Sequence, residues 1–173
     1  FGGLVLALML IALFRGMDHD EGQYIGAVRM MREGLPFRDF LYLQTPLQPL
    51  LFAPLAWVAQ GWLYPALRLV NALCAAGAAL MVWRSVRLLD GSARTAMLAA
   101  LLMVCCHSFL FSASLARNDA LPLFLNAAGI WLFILAWKYV GERRGALLLL
   151  SGLALGAAVS AKISHGFPAA AAG

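Results

Sequence analysis

Long apolar stretches without a single charge constrain this chain more than any other feature of its sequence. The uncharged runs cover residues 1–14, 95–116, 120–137 and 145–161, and a further apolar segment lies at about residues 62–83. A helix needs about 20 such residues to cross the ~30 Å hydrocarbon layer of a membrane. Only 12% of the 173 residues are charged, against roughly 25% in soluble domains, which excludes a soluble monomer. The sequence therefore predicts an all-α, polytopic integral membrane helical bundle with about five spans.

These spans divide the chain into three parts of one domain. We interpret residues 1–16 as a truncated first span, residues 17–61 as a first outer loop, and residues 62–173 as spans two to five with the start of the next. Within the loop, helical periodicity over residues 21–31 and the proline-rich segment 46–60 predict interfacial amphipathic helices. Because both ends interrupt apolar runs, we expect an N-terminal part of a longer protein that is inactive by itself.

The charges between the spans predict the orientation of the bundle. Residues 84–94 and 138–144 together carry six basic and two acidic residues, whereas residues 15–39 carry four basic and five acidic ones. Positively charged loops stay in the cytoplasm. The acidic loop, the turn at residues 117–119 and Lys162 are therefore all expected on the outer face. The net charge of +5 comes without a basic run, so nucleic acid is not an expected partner.

The acidic start of the first outer loop has two explanations. Asp18 or Asp20 can cap the following helix, with Glu21 or Gln23 three residues on as the partner in a capping box. Alternatively, a carboxylate at this depth serves as a base beside cations from the other outer loops. Such a site suits a lipid-phosphate substrate, because transfer needs a base for an acceptor hydroxyl and positive groups for the departing phosphate.

The other polar groups on the outer face also have structural explanations. Asp119 can cap the fourth span beside a snorkelling Arg117, and Lys162 can anchor the end of the fifth. Gly152 and Gly156 precede Lys162 at the spacing that lets two helices approach closely. What favours a functional site is that three separate segments bring these charges to one compartment.

Three stretches of this chain carry a resemblance to a known family. Residues 20–39 run Asp-Glu-Gly-Gln-Tyr-Ile-Gly-Ala-Val-Arg-Met-Met-Arg-Glu-Gly-Leu-Pro-Phe-Arg-Asp, residues 116–119 are Ala-Arg-Asn-Asp, and residues 152–162 begin Gly-Leu-Ala-Leu-Gly and end in Lys. They resemble the outer-loop motif, the second acidic motif and the glycine-lysine segment of the GT-C membrane glycosyltransferases. The likeness is greatest to the branch near the protein O-mannosyltransferases, the lipid A aminoarabinose transferases and the lipopolysaccharide-core galacturonosyltransferases.

The resemblance implies inverting transfer of a sugar from a polyprenyl-phosphate donor to a hydroxyl of a lipid, glycan or protein, without a nucleotide, a cofactor or a required metal. It implies a bacterial inner-membrane protein, surrounded by membrane lipids, whose active site faces the periplasm. It assigns catalysis to Asp20, the candidate base, with Glu21 beside it, and leaves open whether Asp18 shares this work. It assigns substrate binding to Tyr24, Arg117, Asp119 and Lys162, with Lys162 at the donor phosphate.

Two other functions compete with transfer. A transporter or flippase of lipid-linked sugars would place ionisable residues near the bilayer midplane and show internal repeats. Here the acids lie in loops and at the ends of spans, and no repeat is visible, which favours the enzyme. A purely structural membrane subunit predicts that neutralising Asp20 changes stability alone, by the ~1 kcal/mol of a lost helix cap.

Overall fold

The computed structural model describes residues 1–139 and 141–166 of the chain. These residues form no β-strand, and their α-helices are α1 Gly2–Phe14, α2 Glu21–Met30, α3 Leu47–Val58, α4 Leu63–Leu88, α5 Ala93–Cys105, α6 His107–Ser114, α7 Ala120–Lys138 and α8 Arg144–Ala161. Short 3-10 turns at Gln60–Trp62 and Ile163–His165 precede α4 and follow α8. The all-α prediction is confirmed, and α2 and α3 occupy the two loop segments where helices are expected.

The number of membrane spans differs from the prediction. Three helices are long and apolar enough to cross a membrane, namely α4 with the turn before it, α7 and α8, with 29, 19 and 18 residues. Helices α5 and α6 meet that test only as a pair. Helix α1 has 13 residues, or about 20 Å of helix. The described residues therefore contain three spans, or four if the pair counts as one, and five are not confirmed.

The expected span over residues 95–116 is broken in its middle. Cys106 has an extended backbone with ψ of 128°, and the axes of α5 and α6 differ by 70°. Phe109 and Ala113 of α6 are buried in the cluster formed by α1 and α4. The stretch contains neither proline nor glycine, so its sequence carries no local signal for this break.

Helix α4 is at the centre of the bundle, and small side chains form its packing face. Its fully buried alanines are Ala72, Ala75, Ala76, Ala78 and Ala79. Side chains of this size allow α1, α6 and α7 to come close. At Gly77 helix α7 comes so close that a Cβ there would lie 2.8 Å from the ring of Phe124.

Helices α7 and α8 meet at a different glycine from those expected. A Cβ on Gly129 would lie 2.7 Å from Cγ of Leu155, and Ser151 Oγ donates a hydrogen bond of 2.8 Å to the Gly129 carbonyl. Gly152 and Gly156 are exposed, and among the described residues nothing comes within 4 Å of a Cβ built on either. Among the described residues these two glycines form no helix contact, because the other face of α8 packs on α7, and their part in a close approach of helices stays a prediction.

The polar loops gather at two ends of the bundle. At one end Lys138 Nζ lies 2.5 Å from Asp90 Oδ2, which joins the two basic loops. At the other end the start of α2, the turn before α7 and Lys162 lie together. This sorting agrees with the one inferred from the charges, and the assignment of the second end to the outer face stays a prediction.

Candidate active site

The turn from Asp18 to Glu21 forms the start of α2. The Asp18 N–H donates to Glu21 Oε2 at 2.8 Å, and the Asp20 N–H donates to Asp18 Oδ2 at 3.3 Å. Glu21 therefore makes its half of the predicted capping box with Asp18, whereas the Asp18 carboxylate accepts from Asp20, the residue at the N-cap position. Asp20 makes no side-chain capping bond, so its carboxylate is available for other partners.

The carboxylate of Asp20 lies beside two basic side chains. Its Oδ2 is 2.9 Å from Arg117 Nη1, and its Oδ1 is 2.9 Å from Nδ1 of His19. Arg117 Nη1 also donates to Asp18 Oδ2 at 2.8 Å. The Asp20 side chain is 32% exposed, against 18% for Arg117. Asp20 can thus be reached from outside while the arginine holds it from within.

Arg117 continues this cluster toward α8. Its Nε donates to Asp119 Oδ2 at 3.2 Å, and the other oxygen of Asp119 accepts a hydrogen bond from Lys162 Nζ. Asp119 stands at the N-cap of α7 without making a side-chain capping bond. The structure therefore brings Asp20, Arg117, Asp119 and Lys162 into one continuous cluster. We call these four residues and Asp18 the charged cluster.

Polar side chains in neighbouring helices hold the segments that carry the charged cluster. Asn71 of α4 donates from Nδ2 to the carbonyls of Leu115 and Arg117, both at 2.7 Å. The carbonyl of Ala161, one residue before Lys162, accepts hydrogen bonds from Thr45 Oγ1 and Asn118 Nδ2. The main chain on both sides of the charged cluster is therefore fixed by side-chain hydrogen bonds that the sequence analysis did not anticipate.

Arg68 of α4 is the largest residue that the sequence analysis missed. It is 1% exposed, and all five of its guanidinium N–H groups are used. Nε and Nη2 donate to the two oxygens of Glu21 at 2.8 and 2.6 Å. The rest donate to the carbonyls that end α1, those of Ala12, Arg15 and Gly16. The position of Arg68 inside a predicted span is the signal that could have identified it, because a charged side chain within a span is almost always paired.

Glu21 lies behind the charged cluster, not in it. It is 0% exposed, and besides Arg68 it accepts hydrogen bonds from the N–H groups of Asp18 and Ala116, at 2.8 and 2.6 Å. Those two N–H groups belong to the segments that carry Asp20 and Arg117. One buried carboxylate thereby connects the first outer loop to the turn before α7.

Hydrogen bonds lower the pKa of two acids in this region, Asp18 and Glu21. The hydrogen bond from Arg117 lowers the pKa of Asp18. Burial acts to raise the pKa of Glu21, but the hydrogen bonds from Arg68 and two backbone N–H groups outweigh it, and the pKa is lowered. With Asp18, Asp20 and Asp119 facing Arg117 and Lys162, the charged cluster holds one more carboxylate than cations.

Tyr24 is buried at the edge of this region. It is 3% exposed and packs with Ala27 and Tyr42. Burial and the negative charge of Asp119 raise the pKa of its hydroxyl. The tyrosine is consequently neutral at pH 7.

Two clefts flank the bond between Lys162 and Asp119. The first, of about 490 Å³, is lined by Lys162 and by loop residues that include Tyr42 and Thr45. The second, of about 380 Å³, is lined by Asp119 together with Ser108, Ser112 and His165. Burial and the charge of Lys162 lower the pKa of His165. Each cleft has room for a small polar group beside a charged residue of the cluster.

Comparison with known proteins gives one result. The family described as dolichyl-phosphate-mannose-protein mannosyltransferase matches residues 49–173 of the chain. The matched region contains Arg68, Arg117, Asp119 and Lys162, and it begins within the first outer loop, after Asp20. No curated protein and no solved structure matches the chain at a significant level.

Proposed function

The chain belongs to the dolichyl-phosphate-mannose-protein mannosyltransferase family, and from this premise we propose that it transfers a sugar from a polyprenyl-phosphate donor to an acceptor hydroxyl with Asp20 as general base. Membership makes the chain part of a membrane glycosyltransferase, in agreement with its apolar helices. The observation that carries the finer proposal is the charged cluster. It places a reachable carboxylate, an arginine and a lysine in one hydrogen-bonded chain.

Asp20 supplies the base. Its carboxylate is outside the capping bonds of α2, is partly exposed and has Arg117 and His19 as its neighbours. It takes the proton of the acceptor hydroxyl while the hydroxyl oxygen forms a bond to the anomeric carbon. The bond between that carbon and the phosphate oxygen breaks at the same time, and its electron pair stays with the phosphate. Attack from the face opposite the phosphate inverts the anomeric configuration.

Lys162 and Arg117 stabilise the charge that develops on the departing phosphate. Lys162 lines the cleft of about 490 Å³, and its ammonium can exchange its bond to Asp119 for one to a phosphate oxygen. Hydrogen bonds between charged groups are about twice as strong as neutral ones, and they act here on charge that grows in the transition state. Asp119 orients both cations and, with Tyr24, shapes the pocket.

Glu21 takes part by positioning and not by proton transfer. Both of its oxygens are occupied by Arg68 and by two backbone N–H groups, and no part of it is exposed. Its ionised state fixes the backbone beside Asp20 and Arg117. We assign the base to Asp20 alone, and Asp18 to holding Arg117 and capping α2.

The reaction takes place at the outer face, in the membrane of a bacterial cell, with the site toward the periplasm. The orientation follows from the excess of basic residues in the loops at the other end. We propose that no metal is required, because the guanidinium of Arg117 fills the position between three carboxylates that a divalent cation would need. The acceptor is a hydroxyl of a lipid, a glycan or a protein.

The test compares wild-type full-length protein in membranes with the Asp20→Asn variant, using a set of polyprenyl-phosphate sugars and following consumption of the donor. Since a general base contributes about 10²–10⁴-fold, Asp20→Asn is expected to lower the rate at least roughly 100-fold at equal protein level. Glu33→Gln is the matched control, because Glu33 is an exposed acid of the same loop outside the charged cluster. Equal rates for wild type and Asp20→Asn contradict the assignment. Movement of the donor across the membrane without its consumption supports a transporter instead.

A further inference from the structure

A basic cleft separate from the charged cluster lies between α2 and the start of α4. It has a volume of about 430 Å³. Its polar lining includes two arginines, Gln60 and Tyr64, and the hydroxyl of Tyr64 donates to Glu21 Oε2 at 3.5 Å. The proposed transfer reaction uses none of these four side chains.

The arginines of this cleft are Arg29, in the last turn of α2, and Arg32, in the turn that follows. Both are exposed, and neither forms an ion pair with any acid in the described part of the chain. The other arginines of the first outer loop have partners: Arg15 donates to Ser114 Oγ, and Arg38 pairs with Asp39. No Asp or Glu lines the cleft. Its positive charge is therefore uncompensated.

The cleft lies at one end of a candidate membrane span. Leu63 and Tyr64, which line it, are the first residues of the spanning helix α4. Trp57 and Trp62 stand beside it and are 57% and 76% exposed. Exposed tryptophans at the end of a span are typical of the boundary between membrane and water.

Aromatic stacking orients one of the arginines. The guanidinium of Arg32 lies over the ring of Trp57, 5.1 Å from its centroid. Contact through its face leaves the N–H groups at the edge of the guanidinium free to donate. Arginine is well suited to bind phosphate because its N–H groups match two phosphate oxygens at once.

We propose that this cleft binds the phosphate headgroup of an anionic membrane lipid. Arg29 and Arg32 pair with the phosphate, and Gln60 donates a further hydrogen bond. The acyl chains extend along the exposed apolar side chains of Trp57 and Trp62 into the membrane. A lipid is favoured over a soluble phosphate because the cleft stands at the start of a span between exposed tryptophans. The proposal does not rest on the transfer reaction.

The experiment counts lipids retained by the detergent-solubilised full-length protein in native mass spectrometry. Phosphatidylglycerol and the zwitterionic phosphatidylcholine are added at equal concentration to wild type, Arg29→Gln and Arg32→Gln. The matched control is Arg38→Gln, which removes the same charge from the same loop at a site paired with Asp39. Preferential retention of phosphatidylglycerol is expected for wild type. Each cleft variant should lower its affinity roughly fivefold, the effect of one basic residue near an anionic lipid surface, whereas Arg38→Gln should match wild type.

Three results would overturn the proposal. Equal losses in all three variants would show a diffuse effect of surface charge, and no loss in either cleft variant would show that the lipid binds elsewhere. Displacement of phosphatidylglycerol by inorganic phosphate at the same concentration would assign the cleft to a soluble anion. Because all three arginines are exposed, the variants are expected to fold, and elution at the wild-type volume in size-exclusion chromatography checks this.

Discussion

Replacing Arg68 by methionine tests the largest buried polar arrangement in the molecule. The variant removes five hydrogen bonds, of which two go to Glu21 and three to the carbonyls that end α1. Glu21 then keeps the N–H groups of Asp18 and Ala116 and the hydroxyl of Tyr64, but it is buried and has no cation beside it. Leaving one partner of a buried ion pair alone costs about 3–5 kcal/mol. We therefore expect Arg68→Met to lower the unfolding temperature on the order of 10 °C.

The assay is thermal unfolding of the full-length protein in detergent, followed by the loss of the native peak in size-exclusion chromatography. Arg87→Met, at the exposed far end of the same helix, is the control and should stay within about 0.5 kcal/mol of wild type. The double variant Glu21→Met/Arg68→Met removes both charges, so it should be more stable than Arg68→Met alone. The reasoning is refuted if Arg68→Met melts with wild type, or if the double variant is the less stable of the two.

Two further predictions concern stability. Gly129→Ala should destabilise the protein by about 1–3 kcal/mol, since the new Cβ would lie 2.7 Å from Leu155. In the same thermal assay Gly156→Ala should be neutral or stabilising, because the new Cβ would meet no described residue within 4 Å. Because the hydrogen bond from Arg117 lowers the pKa of Asp18, the stability that this pair contributes is complete above the ordinary value of 3.8 and is lost as the pH falls through the lower folded-state pKa. The unfolding temperatures of wild type and Asp18→Asn should therefore differ at neutral pH and converge in acid, and a constant difference would contradict this.

The position of the charged cluster could be predicted from the sequence because it follows from topology. Spans that alternate in direction bring every second loop to one face, and the loops with Asp20, Asp119 and Lys162 meet there. The sequence also predicts a capping pair, since Asp18 and Glu21 have the spacing of a capping box. The sequence leaves two candidate caps, Asp18 and Asp20, and only the local hydrogen bonds at the start of α2 distinguish them.

The buried hydrogen bonds, the break between α5 and α6 and the contact of α7 with α8 could not be predicted, because they depend on tertiary contacts that no local pattern encodes. Arg68 and Asn71 look like isolated polar residues in an apolar helix, and their partners lie 47 and 44 or more residues away. The break at Cys106 occurs without proline or glycine, and it accompanies the burial of Phe109 between other helices. Likewise, the choice of Gly129 over Gly156 depends on which face of α8 meets α7.

The arrangement around Arg68 has a consequence for the order of assembly in the membrane. Glu21 leaves the ribosome 47 residues before its partner, so the first outer loop cannot take its final conformation when it emerges. The carboxylate of Glu21 stays hydrated until α4 has been inserted and has brought Arg68 to it. The turn at Ala116, whose N–H donates to the same carboxylate, is synthesised later still. The contacts of Glu21 with Arg68 and Ala116 therefore form late in biogenesis. A variant at Arg68 would leave a protein that is inserted but in which the segments around Glu21 and Ala116 are not joined.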